Sequence, residues 1–298
     1  MATDSVQPFG SRLAQAMERY GKLCVGIDPH ASILKDWGLA ESAEGALEFG
    51  LAAVKAAAGR AGIIKPQVAL FERFGSAGLA ALEKVQAAAT EQGILVLADA
   101  KRGDIGSTMA GYAQAWLDPS SPLAADAVTV SPYLGVGALG PVFDTATEFG
   151  GGVFVLGLTS NPEGARVQHA GGDDSAALRV VTDVAEVNQR MSAHHASSAP
   201  DAAVTAALGD VGLVVGATTG DAARKLGIDL AAGKPPLLTP GYGAQGATAS
   251  DLAETFGDVW DQVVVPASRS LAKPHAMEAA IEAAQEDLAS VNSASVNS

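Results

Sequence analysis

Cysteine is nearly absent: Cys24 stands alone in 298 residues. One thiol excludes an internal disulfide framework and any cysteine-rich zinc site, and it suits a reducing compartment. Aromatic residues are scarce at 5%, and Trp37, Trp116 and Trp260 are too scattered to form a stacking platform for bases. Positive charge is short as well, with 19 Lys and Arg against 33 Asp and Glu and a net charge of −14. That balance argues against nucleic acid or an anionic membrane surface as a partner, since both need clustered cations. Long hydrophobic runs are missing too. Stretches such as Gly152 to Leu158 have strand length, far below the ~18 residues of a membrane span. Residues 1–12 mix Asp4, Gln7, Pro8 and Arg12 and lack the apolar run of a secretory signal, so a cytoplasmic location is expected.

What is present points to a large folded core. Hydrophobic residues make up 48% and charged ones only 17%, which excludes general disorder. Short β-rich apolar runs recur at Leu23–Ile27, Gly62–Ile64, Ile94–Ala98, Ala127–Val130, Val153–Leu156, Val211–Val215, Pro236–Leu238 and Val263–Val265. Continuous apolar runs suit strands buried on both faces of a parallel sheet. Ala-rich stretches with helical spacing lie between and after them: Glu41–Ala58, Ala77–Glu91, Ser107–Leu117, Ser175–Met191, Ala247–Phe256 and Ala276–Leu288. Thr248 with Asp251, and Ser250 with Glu254, sit near helix-capping spacing. This alternation predicts an α/β fold, a (β/α)8 TIM barrel. The alternative, a doubly wound open sheet, rarely needs so many regular units.

No shift in composition marks a second domain. The expectation is one barrel domain over residues 1–289 and a small polar tail over 290–298, where Ser-Val-Asn-Ser repeats. The surplus length falls in the connection from Leu158 to Gly209, as a lid or a contact between subunits. Its His194 and His195 read as solvated surface in a polar loop.

In such a barrel the chemistry lies at the C-terminal ends of the strands. Asp28 ends the first apolar run, Lys65 the second, and Asp99-Ala-Lys101 the third, with Asp104 in the loop beyond. Asp99 and Lys101 are two apart, so extended chain points both to one side. Crowded charges are costly unless they interleave by sign. These would alternate acid and base if neighbouring strands brought them together; the competing reading is a structural ion-pair network. His30 follows Asp28 near the mouth, where contact with a ligand is one reading and a satisfied loop histidine the safer one, while Cys24 reads as packed within the first strand.

After the seventh run, Gly241, Gly243 and Gly246 spell G-x-G-x-x-G. A dinucleotide fold would carry this motif after its first strand, with an acid following the next. Here it comes seventh, and Asp261 precedes the next run. In a barrel, the loops after strands seven and eight commonly bind phosphate, and Arg269 at the end of the eighth adds a fixed cation.

With those residues in place, the chain resembles the orotidine 5′-phosphate decarboxylase family, in its longer bacterial branch. The resemblance rests on Val25-Gly-Ile-Asp28, Ile64-Lys65-Pro66, Leu97 to Ile105 with Thr108, Ser160, Pro240 to Gln245, and Ser268-Arg269. Asp99, Lys101 and Asp104, spaced Asp-x-Lys-x-x-Asp, are its most specific element. The family's usual Asp-Ile-Pro-x-Thr is here Asp104-Ile-Gly-Ser-Thr108. A related barrel decarboxylase, acting on a keto sugar phosphate with Mg²⁺, shares Asp-x-Lys-x-x-Asp. It typically carries an acid where this chain has Lys65, and a cation there opposes metal binding. A catalytically silent phosphate-binding barrel is the remaining alternative.

The resemblance implies decarboxylation of orotidine 5′-monophosphate to UMP, the last step of de novo pyrimidine nucleotide synthesis, with neither metal nor organic cofactor. It gives Lys101 the protonation of C6, with Asp99, Lys65 and Asp104 completing the charged array. It gives Asp28 to the ribose, Ser160 to the pyrimidine, and Gln245, Arg269 and the backbone near Pro240 and Gly243 to the phosphate. It also implies a homodimer in which Asp104 and Thr108 enter the partner's site.

Overall fold

The computed structural model describes residues 7–198, 208–243 and 246–291. Its strands are β1 (Leu23–Ile27), β2 (Ile63–Pro66), β3 (Leu95–Arg102), β4 (Ala127–Val130), β5 (Gly152–Leu158), β6 (Val211–Val215), β7 (Leu237–Leu238) and β8 (Val263–Ala267). They pair in parallel in chain order and close into a barrel. Leu23 on β1 lies opposite Val265 on β8, so no edge is left open. Every predicted strand forms, with its ends moved by a few residues. β3 is the exception that matters, because it continues through Asp99 and Lys101 to Arg102. The strands read as unbroken apolar runs because the interior covers one face and helices cover the other.

Each strand sends at least one side chain to an inner cluster, from Cys24 on β1 to Val264 on β8. A helix at Phe9–Tyr20 plugs the N-terminal end of the barrel. Its Phe9 ring meets Phe154 edge to face at 6.1 Å. A Cβ on Gly152 would lie 2.3 Å from that ring, so the plug needs glycine there. The sequence pattern did not reveal this helix, since only Phe9, Gly10 and Leu13 of it are buried. Burial pushes the Cys24 thiol up to about 12, which keeps it an inert packing group.

The outer layer holds the expected helices, including Ala43–Ala57, Gly75–Glu91, Gly106–Leu117, Ala249–Phe256 and Met277–Ala289. Of the two capping pairs expected, Thr248 with Asp251 forms. The Thr248 hydroxyl accepts from the Asp251 N–H (3.1 Å), and the Asp251 carboxylate accepts from the Thr248 N–H (2.8 Å). Gly140–Phe149 was not predicted; its Pro141 suits the first helical turn, but Gly and Thr dilute the helical signal.

Two expectations need correction or limits. His194 and His195 lie within the helix Ala176–Ser198, not in a loop. His195 Nε2 is 2.7 Å from Asp210 Oδ2, and the other oxygen of Asp210 accepts from the Gly10 N–H at 2.7 Å. A buried carboxylate needs such partners, and this one ties the helix to the plug. The expected tail lies outside the described residues beyond Val291, which packs against the core. Among the described residues, no helix is long and apolar enough to cross a membrane.

Candidate active site

The C-terminal ends of β1, β2 and β3 bring their ionisable residues together. Lys65 Nζ donates to Asp99 Oδ2 at 2.8 Å, and both side chains are more than nine-tenths buried. The Lys101 ammonium donates to the other oxygen, Asp99 Oδ1. Burial alone would raise the Asp99 carboxyl, but Lys65 and Lys101 more than reverse that and hold it well below the usual carboxylate range. Burial alone would lower the Lys65 ammonium; Asp99 first and Asp28 second hold it above the usual lysine range. Lys101 differs from Lys65 in access, since its side chain is 44% exposed. It is the most exposed of the three.

These groups face a cavity of about 690 Å³ at the barrel mouth. Asp28, Lys65, Asp99, Lys101, Ser160, Pro240 and Arg269 all line it. One carboxylate oxygen of Asp28 is buried with no hydrogen-bond partner among the described residues. An orphaned buried acceptor at a cavity wall is suited to a ligand hydroxyl. Arg269 has no acidic partner among the described residues, so it is available to an anion. A cavity of equal size at the opposite end lies beside Met17, Lys22 and Trp260. Its Lys22 donates to the Trp260 carbonyl (2.9 Å) and lies 3.9 Å from an exposed Asp261 oxygen, so this cation already has partners.

Other expected residues lie outside this cavity. Asp104 does not line it; its carboxylate accepts from the Ile105 N–H at 2.8 Å. Thr108 is exposed in the first turn of Gly106–Leu117. Gly243 is not a lining residue either. Its N–H donates to the Ala247 carbonyl at 2.9 Å, so it shapes the turn, and its φ of 68° favours glycine. Gln245 lies outside the described residues. Among the described residues, no cluster of His, Cys, Asp and Glu is arranged to hold a metal ion.

Sequence reasoning missed several neighbours. Gln168, from the long connection after β5, accepts from the Thr159 N–H (2.9 Å) and donates to the Thr159 hydroxyl (2.7 Å). It thereby fastens the segment carrying Ser160 at the cavity wall. Thr129 on β4 donates to Asp99 Oδ1 and accepts from the Lys101 N–H, both at 2.9 Å. Tyr242, beside the glycine turn, donates to Asp287 at 2.7 Å; burial first, then that hydrogen bond, raise its phenol above the usual range.

The family model for the orotidine 5′-phosphate decarboxylase / HUMPS family matches residues 21–284. The chain belongs to this family. A protein of Salinispora arenicola named orotidine 5′-phosphate decarboxylase is 50% identical over 94% of this chain and 95% of its own length. One of the same name from Streptomyces coelicolor is 49% identical over 89% of this chain and 90% of its own. A crystal structure of a candidate orotidine 5′-phosphate decarboxylase from Streptomyces avermitilis superposes with a TM-score of 0.87. It shares 45% identity and covers 100% of this chain and 99% of that one. The decarboxylase name thus accompanies full-length similarity, while the family model alone spans both groups in its name.

Proposed function

We propose that this chain decarboxylates orotidine 5′-monophosphate to UMP and CO2, completing pyrimidine nucleotide synthesis. The observation that carries the reading is the Lys65–Asp99–Lys101 array at the mouth of a barrel whose close relatives bear the decarboxylase name. Breaking the bond from C6 to the carboxyl group leaves its electron pair in an sp2 orbital. That orbital is orthogonal to the ring π system, so no conjugated sink exists. A fixed ammonium beside C6 stabilises the pair and needs no reorganisation to do so. Lys101 is that ammonium, and it then transfers a proton to C6, becoming a neutral amine that regains its proton from water.

Asp99 holds Lys101 in place and stands next to the departing carboxylate, and Lys65 balances its charge. Asp28 takes a ribose hydroxyl and Ser160 a polar edge of the pyrimidine. Arg269 takes the phosphate together with Gln245 and the backbone near Pro240 and Gly243, and that binding energy helps to close the site. The net charge of −14 repels an anionic substrate at long range, so capture rests on these local cations.

The reading extends to assembly. Ile105, Tyr133 and Leu134 are 61%, 82% and 55% exposed. They follow β3 and β4, whose ends meet where the Ser131 N–H donates to the Arg102 carbonyl at 2.7 Å. An apolar surface beside an Asp104 that does not line its own chain's cavity suits a second copy of the chain, with Asp104 and Thr108 reaching the partner's cavity. Residues 1–289 act as one unit in the cytosol, where a single unpaired thiol is at home. The test is the ultraviolet absorbance loss as orotidylate becomes UMP; purified protein that leaves the absorbance unchanged would refute the activity.

A further inference from the structure

We propose that Thr129 is a positioning residue for this reaction, resting on the decarboxylase reading: its hydroxyl sets the mutual geometry of Asp99 and Lys101. Thr129 is fully buried in a strand that is otherwise Ala-Val-Val, and it does not line the cavity. Packing alone gives no reason for a hydroxyl there, since valine has the same shape without the cost of burying a polar group.

The reason lies in the strand pairing. Ala98 lies opposite Val128, yet Arg102 lies opposite Val130. Asp99, Ala100 and Lys101 therefore all bulge against Thr129 alone. In a bulge the ladder is interrupted and backbone groups lose their partners. The Thr129 hydroxyl replaces the missing carbonyl by accepting from the Lys101 N–H at 2.9 Å. The same hydroxyl gives its own proton to Asp99 Oδ1, also at 2.9 Å.

Lys101 sits at φ 50°, in the left-handed region that residues with a side chain seldom occupy. Such a conformation persists only where the surroundings over-determine it. The bond from Thr129 to the Lys101 N–H is one such constraint, and it acts at the residue that needs aiming. The second bond fixes the Asp99 carboxylate, whose terminal torsion is otherwise soft. Oδ2 is held by Lys65, and Oδ1 is shared by Lys101 and Thr129. Because Thr129 is neutral, it restrains Asp99 without adding a third cation to compete with Lys101. β-Branching stiffens the Thr129 side chain, which favours a single geometry.

The experiment compares Thr129→Val, which keeps the shape and removes the hydroxyl, with Thr129→Ser, which keeps the hydroxyl. In T129V, kcat should fall by about 10- to 100-fold, as small misplacements at a reacting centre do. UMP affinity and the KM for orotidylate should stay within about threefold, and T129S should recover most of kcat. A crystal structure of T129V should show Lys101 leaving the left-handed region. If T129V does not fold, Thr129→Ala supplies the same comparison. A folded T129V with kcat within about twofold of the parent would overturn the proposal, as would losses in kcat and UMP affinity that track each other. An inactive parent chain would refute the decarboxylase reading instead. The crystal structure of T129V would then decide, and an unmoved Lys101 would overturn the positioning role.

Discussion

Lys65 and Lys101 flank one carboxylate and both line the cavity, but they differ in access: the first is more than nine-tenths buried and the second 44% exposed. Access assigns proton delivery to Lys101 and charge balance to Lys65. Removing the Lys101 ammonium deletes an interaction that strengthens only as charge develops on C6, so it should cost kcat and spare product binding. For Lys101→Ala we expect turnover to fall at least about 10⁴-fold, or about 5.5 kcal/mol of transition-state stabilisation. UMP binding measured by calorimetry should remain. Near-normal turnover would transfer the role to another group. The charged residues of this site were readable in the sequence because they end apolar runs, where no core position tolerates them. Thr129 was not, because its role depends on which β3 residues it faces, and a bulge sets that pairing. The left-handed turn at Lys101 was hidden for the same reason; two-residue spacing implies a regular strand, and the chain departs from one.

At the scale of elements, the strands were the most legible part, since burial on both faces writes itself as unbroken apolar residues. The capping box at Thr248 was legible too, being local chemistry at fixed spacing. The plug helix and the His195–Asp210 contact were not, because each depends on elements distant in sequence. The connection after β5 was recognisable only as extra length. Its short helix Ala165–Gln168 has a use at the site, because Gln168 carries both bonds to Thr159. Gln168→Leu should loosen the Ser160 segment and raise the KM for orotidylate about three- to tenfold, each lost hydrogen bond being worth about 1 kcal/mol. The thermal midpoint should fall by no more than a few degrees, since most of the helix is exposed. Steady-state kinetics with an unchanged KM would remove Gln168 from the account of binding.

At the scale of the whole molecule, the buried array links the active site to acid stability. Folding lowers the Asp99 pKa, so its contribution is complete above the ordinary carboxylate value and drains away as pH falls below it. Asp99→Asn lacks this titration. Between about pH 5 and about pH 2, urea unfolding of the parent should lose about 2 kcal/mol more than that of the variant. Parallel decline in the two proteins would mean that Asp99 titrates alike folded and unfolded. Assembly offers a sharper whole-molecule test. If Asp104 serves the partner's cavity, Lys101→Ala and Asp104→Ala damage different sites of a mixed dimer. One site then carries both lesions and the other carries neither. Random re-pairing makes half of the dimers mixed, each with one intact site, so the mixture should regain about a quarter of parental activity. The two variants assayed separately should stay near background. Refolding them together from denaturant supplies the exchange, and activity no higher than the sum of the separate proteins would place Asp104 outside the partner's cavity.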